Sequence, residues 1–145
     1  IYEKGLIKSA IGIGSLLCDG IGDTVRVSLT DDPVKEVYAA KEILKAVGKY
    51  NGAYAEVVSC PTCARTCIDV KGIATQIEEY AKGLNKSVKI AVMGCVVNGI
   101  GESKGSDVGV AGGKDKSVIF REGKIISTVP NDRILEELKK EIEKL

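Results

Sequence analysis

The sequence predicts an α/β arrangement followed by a smaller α+β layer. Three observations lead to it. Residues 1–48 run helix, strand, helix with short links, the rhythm of a β/α barrel or a doubly wound sheet. Residues 53–145 run β-α-β-β-β-α. Between them Lys49-Tyr50-Asn51-Gly52 reads as a boundary.

The first helix is expected over residues 1–20, where Leu6, Ile7, Ala10, Ile11, Ile13, Leu16 and Leu17 form an apolar face interrupted by Gly12 and Gly14. Ile1-Tyr2-Glu3 opens the chain without an initiator Met, so a piece of a longer polypeptide is expected. Thr24–Leu29 alternates as a strand does, with Val25, Val27 and Leu29 on one face and Arg26 and Ser28 on the other. Asp32 and Pro33 then start a helix as cap and first helical residue, ending near Gly48. Two such units do not make a barrel on their own, and they look like its last turns.

In the second part, Ala53–Ser59 is a strand that delivers Cys60, and Asp69 caps a helix carrying Val70, Ile73, Ala74, Ile77, Ala81 and Leu84. Val88–Met93 is a buried strand that delivers Cys95 into a glycine-rich loop. A short strand follows over 107–111, then a hairpin around Arg121-Glu122-Gly123. Asn131 or Asp132 is expected to cap a closing amphipathic helix. Gly-Ile-Gly recurs at 12–14, 20–22 and 99–101, but at irregular spacing, so it marks no internal repeat.

Composition narrows the function. The 145 residues are 44% apolar and 28% charged, as in an ordinary globular protein, and a net charge of +1 gives no reason to expect nucleic acid or an anionic membrane as partner. With no apolar run long enough to span a bilayer, a cytoplasmic location is expected. Five cysteines and no histidine argue for metal or redox thiols over a disulfide framework, and exclude Cys–His or Ser–His–Asp catalysis within this chain.

The chemistry concentrates between Cys60 and Glu102. Cys60-Pro61-Thr62-Cys63 is a tight turn in which two sulfurs can face one site. A thioredoxin-like redox pair would open a helix directly and needs no third thiol. Cys95 alone would read as a small core residue, but beside a C-x-x-C pair it becomes a third soft ligand. Glycines 94, 99 and 101 would let backbone N–H groups approach a cluster's sulfides. Spacing alone leaves the fourth ligand open. Cys67 would complete a Cys₄ zinc or iron–sulfur site, whereas Glu102 would add a harder, weaker oxygen ligand that suits an iron open to substrate. A Cys₄ zinc module for interactions and a simple iron–sulfur electron carrier are therefore alternatives to an enzyme. Arg26 and Ser28 would suit phosphate if their strand belongs to a barrel, and are otherwise an exposed polar face. Cys18, in an apolar run, is expected to be buried.

Lys8-Ser9-Ala10-Ile11-Gly12, Gly22–Leu29, Ser59-Cys60-Pro61-Thr62-Cys63, Gly94–Gly99 and Gly101-Glu102 together resemble the 4-hydroxy-3-methylbut-2-enyl diphosphate synthase family, along essentially the whole chain. The resemblance implies a TIM barrel, represented by its C-terminal remnant at residues 1–50. A [4Fe–4S] cluster domain like a sulfite-reductase repeat would follow at 51–145. It implies reductive ring opening and dehydroxylation of 2-C-methyl-D-erythritol 2,4-cyclodiphosphate to 4-hydroxy-3-methylbut-2-enyl diphosphate, with ferredoxin or flavodoxin supplying electrons. Carried over by motif, the cluster ligands are Cys60, Cys63, Cys95 and Glu102, with Cys67 not a ligand. The resemblance also implies catalytic roles for Asn98 and Glu102. By the same resemblance Arg26, Ser28 and Asn98 are expected to bind substrate. Family members are homodimers in which one subunit's cluster domain caps the other's barrel. They are also much longer, with phosphate-binding residues on earlier barrel strands and a Glu in a Thr-Glu-Ala-Gly segment expected just before Ile1. This chain is therefore not expected to turn over alone.

Overall fold

The computed structural model covers residues 1–145, and the side chains of Asn98, Ile100, Glu102 and Ser103 lie outside the described residues. The chain divides into two compact units, Ile1–Gly52 and Ala53–Leu145.

The first unit holds α1 (Tyr2–Cys18) and α2 (Pro33–Ala46). Asp32 caps α2, its Oδ1 accepting from the Val34 N–H at 2.8 Å, with Pro33 in the first turn. Leu17, Val27, Ala39 and Ile43 form the buried centre, with Leu6, Ile13, Val25 and Leu29 packed around them. The expected alternation over 24–29 is present in burial: Val27 is buried and Val25 and Leu29 half-buried, while Arg26 and Ser28 are exposed. The expected strand is absent among the described residues, because a strand needs a neighbour to take its N–H and C=O groups, and no strand of this unit provides one. Instead the Leu29 N–H donates to Glu36 Oε1 at 2.8 Å. Cys18 is exposed, contrary to expectation: it is the last residue of α1, where the helix runs out into the exposed turn that follows.

The second unit is a five-stranded mixed sheet flanked by helices. Its strands are β1 (Ala55–Ser59), β2 (Val88–Met93), β3 (Val108–Ala111), β4 (Lys116–Arg121) and β5 (Lys124–Pro130), and they lie in chain order across the sheet. β1, β2 and β3 are parallel neighbours, and β3–β4 and β4–β5 are antiparallel. The helices are α3 (Val70–Ala81), α4 (Val96–Glu102) and α5 (Ile134–Glu143).

Alternate residues of β2 serve the two faces. Ile90 and Val92 face α3 and α5 in the main core, with Ile77, Val110, Ile119, Leu138 and Ile142. Ala91 and Met93 join Ala111 and Phe120 in a second, smaller core. A strand covered on both faces reads as the unbroken apolar run Ile90–Met93. Asp69 caps α3 as expected, accepting from the Gly72 N–H at 3.0 Å. Arg121 ties β4 to α5 through Glu141 at 2.7 Å.

Two expectations fail here. The glycine-rich stretch after Cys95 is helical, as α4. The residues expected to cap the closing helix form a 3₁₀ turn, Asn131–Arg133, and α5 has no side-chain cap. Asn131 is occupied elsewhere: its Oδ1 accepts from the buried Ser117 hydroxyl at 2.7 Å, and its Nδ2 donates to the Gly113 and Lys114 carbonyls at 3.0 and 3.2 Å.

Phe120 is fully buried and anchors the smaller core. Phe120→Ala is expected to lower unfolding stability by about 3–5 kcal/mol, read as a lower urea midpoint at an unchanged m-value.

Candidate metal centre

Parallel pairing of β1 and β2 puts their carboxyl ends side by side. Cys60 follows the end of β1 and Cys95 lies two residues beyond the end of β2, so both thiols arrive at one edge of the sheet. That edge is where open α/β sheets bind ligands. Cys60, Cys63 and Cys95 line one cavity of about 170 Å³, together with Arg65, Thr66, Met93, Gly94 and Gly99. Cys60 and Cys95 are half-buried and Cys63 is exposed at the rim.

The loop carrying Cys63 is closed by its own hydrogen bonds. The Cys63 N–H donates to Thr66 Oγ1 at 3.0 Å, and the Thr66 N–H donates to the Cys63 carbonyl at 3.0 Å. The Gly94 N–H donates to Cys60 Sγ at 3.2 Å, and the Gly94 carbonyl accepts from the Cys67 N–H at 2.8 Å. Thr66 presses on Gly94 so closely that an added Cβ would lie 2.9 Å from its Cγ2. A Cβ on Gly112 would lie 2.7 Å from the Gly94 carbonyl oxygen. The Ser117–Asn131 network, holding Gly113 and Lys114, keeps that second loop against the site.

Electrostatics favour a thiolate at Cys63. A hydrogen bond from the Arg65 backbone, then the Arg65 side chain, hold its thiol below the ordinary cysteine value. Cys67 is exposed and is not among the residues lining the cavity; its Sγ is directed at the Arg65 carbonyl at 3.3 Å. Glu102 and Asn98 belong to α4, but their side chains lie outside the described residues. Arg26 and Ser28 are exposed on one face of the segment in the first unit. Among the described residues no three Cys, Asp or Glu side chains group as ligands of a single ion. Sequence reasoning overlooked Arg65 and Thr66 as wall residues, although they continue the cysteine run itself. The Gly112–Asn131 support was beyond it, since a contact between residues so far apart leaves no local pattern.

Three soft donors at the carboxyl edge of a mixed sheet have the donor chemistry that thiol-ligated metal and cluster sites use. The profile of the GcpE protein C-terminal domain matches residues 56–144, and that of the GcpE TIM-barrel domain matches residues 1–41. The chain belongs to the GcpE family. It is 57% identical over 99% of its length to the 4-hydroxy-3-methylbut-2-en-1-yl diphosphate synthase (flavodoxin) of Caldanaerobacter subterraneus, covering 40% of that protein. The synthases of the same name from Clostridium acetobutylicum and Clostridium perfringens are 53% and 56% identical over 98% and 97% of the chain, again with 40% of each covered. The chain thus spans about two fifths of the length of the curated relatives it matches.

Two outcomes follow from this geometry. Gly112→Ala forces the Gly94 carbonyl to move and is expected to destabilise the chain by about 1–3 kcal/mol, read by urea unfolding. In metal-free protein, alkylation of Cys63 by iodoacetamide is expected to begin at a lower pH than that of a free cysteine. A lowered thiol pKa leaves more thiolate at any pH beneath the ordinary value; mass-spectrometric peptide mapping across pH reads it.

Proposed function

We propose that the chain is the C-terminal part of an iron–sulfur reductase that converts 2-C-methyl-D-erythritol 2,4-cyclodiphosphate to 4-hydroxy-3-methylbut-2-enyl diphosphate. The single observation that carries this reading is the cavity walled by Cys60, Cys63 and Cys95 in a chain of the GcpE family. Residues 1–50 are the end of a TIM barrel, and 51–145 are a cluster domain like a sulfite-reductase repeat. No helix among the described residues is long and apolar enough to cross a membrane, and the proposed location is the cytoplasm.

The donor set fits a [4Fe–4S] cluster. Thiolates suit iron–sulfur centres, and each thiolate of a cluster binds its own iron, so the sulfurs need not converge on one point. Zinc in a Cys₄ site would instead demand sulfurs about 3.8 Å apart, given Zn–S bonds of about 2.3 Å. Cys60, Cys63 and Cys95 are the proposed thiolate ligands, and Glu102 the fourth ligand by its match to the family motif. Bound there, the cluster supplies electrons for breaking the substrate's C–O bond.

The chain's own residues bind and orient. The Gly94 N–H holds Cys60 Sγ at a fixed angle and lowers the charge density on it. The turn from Cys63 to Thr66 presents the second sulfur at the rim. Arg26 and Ser28 hold the diphosphate, the guanidinium through paired N–H donors and the hydroxyl through one more. Asn98 hydrogen-bonds the substrate near the cluster. Two oxygen-rich ends held this way fix the reacting carbon, so binding energy goes into orientation. Flavodoxin, which stands in the relatives' names, is the proposed electron donor. A homodimer supplies the barrel that each cluster domain caps.

Anaerobic reconstitution followed by iron, acid-labile sulfide and zinc analysis tests this. About four iron and four sulfide per chain are expected. Cys60→Ala, Cys63→Ala and Cys95→Ala lose most of that content, while Cys67→Ala keeps it. One zinc without sulfide would overturn the reading in favour of a structural module.

A further inference from the structure

We propose that Arg65 is a positioning residue for Cys63, directing that thiolate into the cavity and setting the potential of the group bound there. The inference rests on the iron–sulfur reading above and concerns a side chain to which that reading gives no role.

Arg65 lines the same cavity as Cys60, Cys63 and Cys95. Its place there is fixed by the turn. Cys63 and Thr66 bond reciprocally through backbone and hydroxyl, Thr66 is wedged against Gly94, and the next residue donates its N–H to the Gly94 carbonyl. The Cys67 thiol donates to the Arg65 carbonyl at 3.3 Å, which holds the Arg65 peptide from its other side. Cys67 thus serves the turn while its sulfur stays out of the cavity wall. No described carboxylate forms an ion pair with Arg65. Its charge is therefore not neutralised by a described ion-pair partner, and it lines the same cavity as the sulfur two residues before it.

A fixed cation beside a thiolate ligand has two consequences. Its N–H donors restrict the sulfur's direction, which raises retention of the metal. Its positive charge stabilises the reduced, more negative form of a cluster, which raises the reduction potential. An arginine that merely solvates the surface would do neither. Arg65 is exposed, so its replacement leaves the buried core untouched and the variants are expected to fold.

The test uses the whole chain, anaerobically reconstituted with iron and sulfide, as wild type, R65Q and R65K. Far-UV circular dichroism checks folding. The midpoint potential is read by dye-mediated titration with electron paramagnetic resonance, and iron loss by its rate of transfer to a chelator. R65Q is expected to have a more negative potential and to lose iron about 10-fold faster. R65K, which keeps the charge, is expected to recover the potential. Wild-type potential and wild-type iron loss in R65Q overturn the role of Arg65 and leave the cluster reading intact. A wild-type chain that takes up neither iron nor sulfide overturns the cluster reading, and this inference with it.

Discussion

Gly94 is the point at which the candidate metal centre closes. Its N–H meets Cys60 Sγ and its carbonyl takes the Cys67 N–H, so one residue bridges both ends of the cysteine loop. Thr66 and Val70 approach it at distances that leave Gly94 no room for a side chain, and Gly112 lies so near its carbonyl that position 112 has none either. A larger residue there would push the loop that carries Cys63 away from the end of β2, which carries Cys95. Backbone contact this close is available only to glycine, and the three thiols share a cavity because of it.

That junction depends in turn on the sheet. Parallel pairing of β1 with β2 aligns Ser59 with Val92, and the chain leaving each strand delivers a cysteine to the same edge. An antiparallel pair would have sent the two thiols to opposite ends. The apolar faces of α3 and α5 stabilise this pairing from one side, and the smaller core around Met93, Ala111 and Phe120 from the other. The second of these also covers the floor of the site, since Met93 belongs to both.

The first unit illustrates how a sequence pattern and a hydrogen-bonded element come apart. Alternation over Thr24–Leu29 sorts Val27 inward and Arg26 and Ser28 outward, yet no ladder forms. Side-chain sorting needs only a core to face, while a strand needs a partner edge. The curated relatives are two and a half times as long, and a barrel profile matches residues 1–41. Arg26 and Ser28 are both exposed on this segment.

What the amino-acid order determined by itself is whatever depends on neighbours a few residues away. The caps at Asp32 and Asp69, the hairpin at Arg121–Gly123, the amphipathic faces of α3 and α5, and the cysteine turn all carry local signals in spacing or side-chain chemistry. The tertiary structure alone decided the rest. Asn131 left its expected capping place because the buried Ser117 hydroxyl and two loop carbonyls needed partners, and an unpaired buried polar group costs more than an uncapped helix end. The glycine-rich stretch after Cys95 became α4 because Gly99 could lie against Ala111 and Met93 on the sheet, a close packing that outweighs glycine's low helix propensity. Cys67 and Cys63 have the same local look in the sequence, and only the fold separated them. One lines the cavity and the other turns back to a carbonyl, because the Gly94 backbone fixes the path of the chain between them.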